Sequence, residues 1–241
     1  MGCWNKDALR FYYEGIRYGE YPSAIMDKLS DILKDCRSMI DICSGPGAFT
    51  LWALERGWQV LATDMDETAL SALENTAGAN NALTIIRGDL LQTDLPAKDL
   101  AIAACCFYEE TAKAPALGKM LDLGQKAAVF IQHDGETPYE FGTEGLPAGP
   151  RQHNWAVYNM ENELKIAAEE RGLTINNMKI RCDFGCIFHP GNEYQLQFIS
   201  RKTGVTDLEL LASRLMQRAK QTPNGLWLPN IKQYSVSWVV K

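Results

Sequence analysis

The sequence predicts a doubly wound α/β fold on a mostly parallel, seven-stranded sheet, with helices on both faces and a helical cap at the N-terminus. Three observations carry this expectation. From Ser38 onward short apolar runs alternate with segments of helical period; such repeats imply right-handed crossovers and parallel strands. A Ser-Gly-Pro-Gly turn separates the first run from the helix that follows it. Before Ser38 there is no strand signal, only two helical stripes.

The first stripe covers Asn5 to Tyr18, with Leu9, Tyr12, Tyr13 and Ile16 at helical spacing. The second follows Tyr21-Pro22-Ser23, where Pro22 suits a helix start, and carries Ile25, Leu29, Ile32 and Leu33. Ser38–Cys43 reads as the first strand, followed by a helix through Phe49, Leu51, Trp52 and Leu54. Gln59–Thr63 is the second strand, and Asp66 caps a helix that ends near Gly78. Leu83–Arg87 and Asp99–Cys105 follow as strands, then a helix around Ala116–Leu123 and a fifth strand, Ala127–Gln132. The Gly/Pro-rich stretch from Asp134 to Pro150 is long for a loop in a compact domain and reads as a cover over the site, closing together with the N-terminal helix. Trp155–Glu170 is a helix and Thr174–Arg181 a strand. Between Asp183 and Gly204 two readings stay open: Asn192 caps a helix bearing Tyr194 and Phe198 on one face, the preferred one, or Tyr194–Ile199 is a strand. Asp207–Lys220 is a helix, and Tyr234–Val240 a terminal strand with Val236, Trp238 and Val240 in alternation.

Length and composition narrow the function classes. A chain of 241 residues is long enough to bury one α/β core, and 46% hydrophobic with 22% charged residues is globular composition. No apolar run approaches the roughly 18–20 residues that span a bilayer, and MGCWNKDALR lacks the form of a secretory signal, so no membrane association and a cytoplasmic location are expected. The seven cysteines show no paired metal-ligand spacing, so no metal is expected and the thiols read as small buried residues. Net charge is −6, unevenly spread: residues 1–170 hold 14 basic and 26 acidic side chains, residues 171–241 hold 10 and 4. An acidic majority disfavours a nucleic-acid partner, although Arg171, Lys179, Arg181, Arg201, Lys202, Arg214, Arg218 and Lys220 could form a basic patch.

The segment Asp41-Ile42-Cys43-Ser44-Gly45-Pro46-Gly47 joins strand to helix in the manner of a nucleotide cradle, because glycines admit positive φ and close approach of a ligand. Asp64 lies at the end of the second strand, nineteen residues after Gly45, where a carboxylate suits the two ribose hydroxyls. A dinucleotide fingerprint would need a third glycine where Thr50 stands, and Asp41 would repel a diphosphate while attracting an ammonium group.

On these residues the sequence resembles the class I S-adenosylmethionine-dependent methyltransferases. "DICSGPG" matches the family's acidic residue and Gly-rich turn through Asp41, Gly45 and Gly47, with Ser44 and Pro46 between them and Cys43 where a glycine is usual. "VLATDMD" supplies Asp64 for the ribose and Met65 beside the adenine; "RGDLLQTDLP" supplies Gly88, Asp89 and Leu90 for the adenine ring and amino group. "DLAIAACCFYEE" occupies the fourth motif, beside the transferring methyl group, where Cys105 borders the donor. "SVSWVVK" is similar to the antiparallel last strand of the family's sheet. The resemblance implies S-adenosylmethionine as cofactor, S-adenosylhomocysteine as product, and one methyltransferase domain over residues 1–241: a cap to 36, a donor-binding core over 37–132, a lid over 133–153, and the rest of the sheet with a helical insertion over 154–241.

Methyl transfer from a sulfonium requires alignment, exclusion of water and sometimes removal of a proton. Residues doing this project from the ends of strands four and five. His133 and Tyr108 are the catalytic candidates, His133 as a base whose pKa is ordinarily near neutrality. Tyr12, Tyr18 and Tyr21 (with Tyr13), Cys106, Phe107 and Asp134 are candidates for the acceptor pocket, the tyrosines because aromatic faces attract cations. A small-molecule acceptor is preferred. The alternatives are an RNA methyltransferase, for which Cys105 or Cys106 would act as nucleophile but without the Pro-Cys and Thr-Cys settings of the cytosine-C5 enzymes, and a protein that binds the donor without catalysis.

Overall fold

The computed structural model describes residues 4–106, 113–134, 140–149 and 160–241. Seven strands form the central sheet: β1 (Ser38–Ile42), β2 (Gln59–Asp64), β3 (Leu83–Arg87), β4 (Lys98–Ala104), β5 (Gly124–His133), β6 (Asn176–Asp183) and, last in the chain, β10 (Ile231–Val240). Their order is β3-β2-β1-β4-β5-β10-β6, with β10 antiparallel to both neighbours and the other six strands parallel, as the sequence implies. The order reverses beside β1, so the ends of β1 and β4 flank a crevice in which an open α/β sheet binds its ligands.

Strand periodicity sorts the core into two layers. Met39, Leu100, Ile102, Val129 and Ile131 face one side with Ile25, Leu29, Phe49 and Trp52; Ile40, Ile42, Ala101, Ala103 and Phe130 face the other with Leu117, Leu121 and Leu164. The first layer is roofed by α1 (Lys6–Tyr18), α2 (Ser23–Lys28), α3 (Ser30–Leu33) and α4 (Ala48–Leu54); the second by α6 (Lys113–Leu123) and α7 (Met160–Glu169). Between β2 and β3 runs α5 (Glu67–Ala77), capped by Asp66, whose carboxylate accepts from the N–H groups of Thr68 and Ala69.

One local reading is corrected, one lies partly outside the described residues, and one open choice is decided for the preferred helix. The single helix expected after Pro22 breaks at Leu29 (φ −95°, ψ 2°) into α2 and α3, although Ile25, Leu29 and Leu33 keep one buried stripe. Residues 155–159 of the helix expected over Trp155–Glu170 lie outside the described residues. Asp183–Gly204 contains both element types: β7 (Cys186–Phe188), then α8 (Glu193–Thr203), which Asn192 starts by accepting from the N–H of Gln195. The strand read as an alternative over Tyr194–Ile199 is therefore helix.

β7 belongs to a second, three-stranded antiparallel sheet with β8 (Lys220–Thr222) and β9 (Gly225–Leu228), none of it expected from sequence. Pro223-Asn224 turns the β8–β9 hairpin, with Gly225 at φ +120°. This sheet, α8, α9 (Leu208–Arg218) and a 3₁₀ turn, Glu140–Gly142, share a third apolar cluster through Phe141, Phe188, Ile199, Leu211, Leu215 and Leu228, and Phe11 of α1 joins it. The described part of the supposed lid is anchored at one end, where Phe141 is buried and its N–H donates to Asn230 Oδ1 at 3.0 Å, while Glu144, Gly145 and residues 147–149 are exposed.

Candidate active site

The cradle begins where β1 ends. Cys43 leaves the strand at φ +54°, followed by Gly45 at +53° and Gly47 at +86°. Three left-handed residues in five fold the chain tightly, at a cost for the non-glycine one of order 1 kcal/mol. Gly47 has no alternative, since a Cβ there would lie 2.4 Å from Leu73. The turn is cross-braced: the Ser44 N–H donates to the Thr63 carbonyl at 3.0 Å and the Gly47 N–H to the Ser44 carbonyl at 2.9 Å.

Asp64 is fixed by the same turn. One carboxylate oxygen accepts from the Gly45 N–H at 2.8 Å and the other from the Asp66 N–H at 2.9 Å, so the group is oriented before any ligand arrives. Its carbonyl accepts from the Gly88 N–H, which draws the third motif against the end of β2. Gly88 itself is packed, since a Cβ would meet Thr93 Oγ1 at 2.2 Å, and the Asp89 side chain caps the following turn through the Leu91 N–H at 2.7 Å.

Asp41 is buried and accepts from Thr50 twice, from its N–H at 3.0 Å and its hydroxyl at 2.6 Å. Thr50, read from sequence only as a missing glycine, is therefore the partner that holds this carboxylate. Burial pushes the Asp41 carboxyl up to about 7, against the lowering effect of the two Thr50 bonds. Between the ordinary carboxylate value and 7 the folded chain holds a proton that the unfolded chain has released, so Asp41 costs stability progressively as pH rises through this window. A cationic ligand group beside Asp41 favours the charged form, so its binding strengthens over the upper part of the same window. Asp41→Asn is expected to remove both dependences: Tm should rise relative to the native chain at pH 8, and S-adenosylmethionine affinity, measured by calorimetry, should fall and become flat between pH 6 and 8.

A cavity of about 610 Å³ opens over these residues, along the carboxyl ends of the sheet strands. Of the predicted site residues, Asp41, Cys43, Ser44, Gly45, Pro46, Asp64, Cys105, Cys106, Tyr12, Tyr21 and His133 line it. Gly47 shapes the turn from behind. Met65, 66% exposed, stands outside the cavity wall, as do Gly88, Asp89 and the buried Leu90. Tyr18 packs edge-on against Trp227, and Asp134 pairs with Lys179 at 3.0 Å and accepts from Gln233; neither faces the cavity. Phe107 and Tyr108 lie outside the described residues.

The N-terminal cap is docked onto the cradle by its tyrosines. Tyr12 Oη accepts from the Ala48 N–H and Tyr13 Oη donates to the Pro46 carbonyl, both at 3.1 Å. Trp4 closes over Gly45, where a Cβ would stand 3.4 Å from its ring. Tyr21 stacks on Tyr234 at 5.3 Å.

His133 ends β5 and lies 4.9 Å from the Tyr234 ring. Burial, then the charges of Lys232 and Lys202, push its imidazole down to about 3. The near-neutral titration that made it a candidate base is not kept here: it is uncharged at neutral pH, a hydrogen-bonding group and a weak base. Burial pushes the Cys105 thiol up to about 11, and Cys106 rises well above its ordinary value through burial and the adjoining Cys43. Both are protonated at neutral pH and make poor nucleophiles.

Sequence reasoning missed much of the far wall: Phe141, Phe184, Phe198, Lys202, Asn230, Lys232 and Tyr234 all line the cavity. Of these, Phe198 was read on the apolar face of a helix, Lys202 in a basic patch and Tyr234 at the start of the last strand, none of them as a site residue. Among the described residues no group of three or more His, Cys, Asp or Glu is placed to hold a metal ion, and no helix is long and apolar enough to cross a membrane.

Residues 40–126 match the family model for a methyltransferase domain. Over 111 residues the chain is 28% identical to "Probable ribosomal RNA small subunit methyltransferase A" of Methanospirillum hungatei, a match covering 44% of this chain and 42% of that relative. Among solved structures it resembles the plantazolicin methyltransferase BamL in complex with S-adenosylhomocysteine and a desmethyl-plantazolicin analogue (TM-score 0.56, 15% identity, 98% of this chain and 90% of that one). It likewise resembles the magnesium protoporphyrin IX methyltransferase of Synechocystis PCC 6803 with bound S-adenosylhomocysteine (TM-score 0.51, 13% identity, 100% and 90%). At these identities the structural likeness is one of fold.

Proposed function

From the methyltransferase-domain match over residues 40–126 and the fold, we propose that the chain is a class I S-adenosylmethionine-dependent methyltransferase and that it methylates a small-molecule acceptor held between α1 and the ends of β4 and β5. The observation that carries this reading is the cavity itself, which continues from the Asp41–Asp64 cradle past Cys105 and His133 to an aromatic far wall. Its volume is in the range of small-ligand sites, roughly 300–1,000 Å³.

S-adenosylmethionine is the cofactor of the family, and the residues present fit it. Asp64, held by two backbone amides, offers its remaining lone pairs to ribose hydroxyls. Asp41, charged when a cation arrives, faces the amino-acid end in this reading, and among the described residues no Lys or Arg lines this part of the cavity to receive a diphosphate. When bound, the donor supplies a methyl group already activated on a sulfonium. The chain's own part is to bind, orient and exclude water. Trp4 and Tyr12 cover the turn, Cys105 lines the wall at the end of β4, and uncharged His133 can accept a hydrogen bond from the acceptor. The whole of residues 1–241 acts as one methyltransferase domain in this reading.

A second reading, RNA as acceptor, is favoured by the relative from Methanospirillum. Against it, four of the eight basic residues named above are otherwise engaged: Arg171 pairs with Asp122, Lys179 with Asp134 and Arg218 with Glu144, while Lys202 lines the cavity. The test is transfer of labelled methyl from S-adenosylmethionine into a cell extract separated into metabolite and RNA fractions. Label is expected in the metabolite fraction. Label in RNA that is lost on Cys105→Ala or Cys106→Ala would establish the RNA reading instead, and tight donor binding with label in neither would mark a non-catalytic binder.

A further inference from the structure

The charged side chains lining the cavity are segregated. Asp41, Asp64 and Asp66 come from the ends of β1 and β2, whereas Lys202 and Lys232 come from α8 and the start of β10. Four strand steps separate β2 from β10 in the sheet order, about 19 Å at roughly 4.8 Å per step. The donor's ammonium and ribose hydroxyls match the acidic end, and its one carboxylate, on the same carbon as the ammonium, stays at that end, so the donor leaves the basic end to another anion. Between the ends the walls are apolar and aromatic, through Phe11, Tyr21, Phe141, Phe184, Phe198 and Tyr234.

The two lysines act on the same space. Both lower the proton affinity of His133, at the end of β5 between donor and far wall, so their fields overlap where an acceptor would lie. Lys202 is exposed, and among the described residues no carboxylate is within ion-pair distance of it; Lys232 is half-buried, 6.0 Å from the Phe184 ring centroid. Asn230, fixed by accepting from the Phe141 N–H, adds a neutral donor to the same wall.

We propose that the acceptor is an organic anion with a flat apolar body, its carboxylate or phosphate held by Lys202 and Lys232 at the end of the cavity remote from Asp41 and Asp64. The body lies among the aromatic side chains, which match flat surfaces by offset stacking, and two cations with a neutral amide form a charge-assisted seat for the anion. The inference rests on the reading that the Asp41–Asp64 end holds the donor.

The test uses the full chain saturated with S-adenosylhomocysteine and titrated calorimetrically with 2-naphthoate, 2-naphthyl phosphate and the neutral 2-naphthamide, and with benzoate and benzamide as a smaller pair. At least one acid is expected to bind ten times or more tighter than its amide. Lys202→Met and Lys232→Met, which keep the side-chain length, should each weaken that acid about ten- to a hundredfold and leave the amide unchanged. Tighter binding of naphthoate than naphthyl phosphate, or the reverse, identifies which anion the seat takes. The proposal is overturned if neither acid exceeds its amide, or if the lysine substitutions weaken acid and amide alike. Titration of the unaltered chain with S-adenosylhomocysteine alone separates this from the parent reading: no binding there refutes the donor site itself.

Discussion

Replacing Gly47 by valine is expected to lower stability by about 4 kcal/mol and to abolish measurable donor binding. Two costs add. At φ +86° a β-branched residue is strained by about 1–3 kcal/mol, and its Cβ would lie 2.4 Å from Leu73, a fully buried side chain on α5 that can give way only by disturbing the layer beneath. Overpacking of this kind costs about 1–3 kcal/mol more. For a chain of this size the sum corresponds to a fall in Tm of roughly 8–16 °C. Gly47→Ala keeps the Cβ but loses the two γ-methyls and should fall between valine and the native residue. A thermal scan of the three proteins checks the order. Equal Tm for glycine and valine would mean that the turn does not adopt this geometry.

Asp64→Ala is expected to have the opposite profile, with a large loss of binding and a small loss of stability. The carboxylate is only half-buried, so truncating it leaves the Gly45 and Asp66 N–H groups partly able to find water, at a cost near 1 kcal/mol. Binding loses more. Charge-assisted hydrogen bonds to the ribose contribute about 1.5–3 kcal/mol each, and the turn loses the anchor that sets Gly45. A loss of about 2–4 kcal/mol, roughly 30- to 1,000-fold in Kd for S-adenosylhomocysteine, follows. Asp64→Asn, which keeps one acceptor oxygen, should recover part of it. Calorimetry showing native affinity in Asp64→Ala would remove this residue from the donor site.

What the sequence made legible follows the range of the forces involved. Strand and helix runs from Ser38 to Gln132 are local patterns of apolar period and turn chemistry, and the sheet is mostly parallel with the antiparallel last strand that the resemblance implied. The small sheet escaped because its strands are three or four residues long, too short for periodicity. Its one local signal, the turn-forming run Pro223-Asn224-Gly225, lay in the unassigned stretch between the helix read to Lys220 and the strand read from Tyr234. In the site, glycines and Asp64 were legible because a turn and a strand end fix them through neighbours in sequence. Thr50 was not, since its role as the partner of Asp41 appears only once α4 has folded back over β1. His133 was legible as a position and not as a chemical state, because its low proton affinity comes from burial and from Lys202 and Lys232, 69 and 99 residues away. The far wall is contributed by α1, the 3₁₀ turn, α8 and β10, whose meeting no local pattern announces.

The measurement that bears most directly on the account is a calorimetric titration of the unaltered protein with S-adenosylhomocysteine, run beside one with oxidised nicotinamide dinucleotide. A cradle built on Asp41 and Asp64, with no basic side chain among the described residues at that end of the cavity, predicts saturable one-to-one binding of the first ligand and none of the second. Binding of the dinucleotide with no heat from S-adenosylhomocysteine would contradict it.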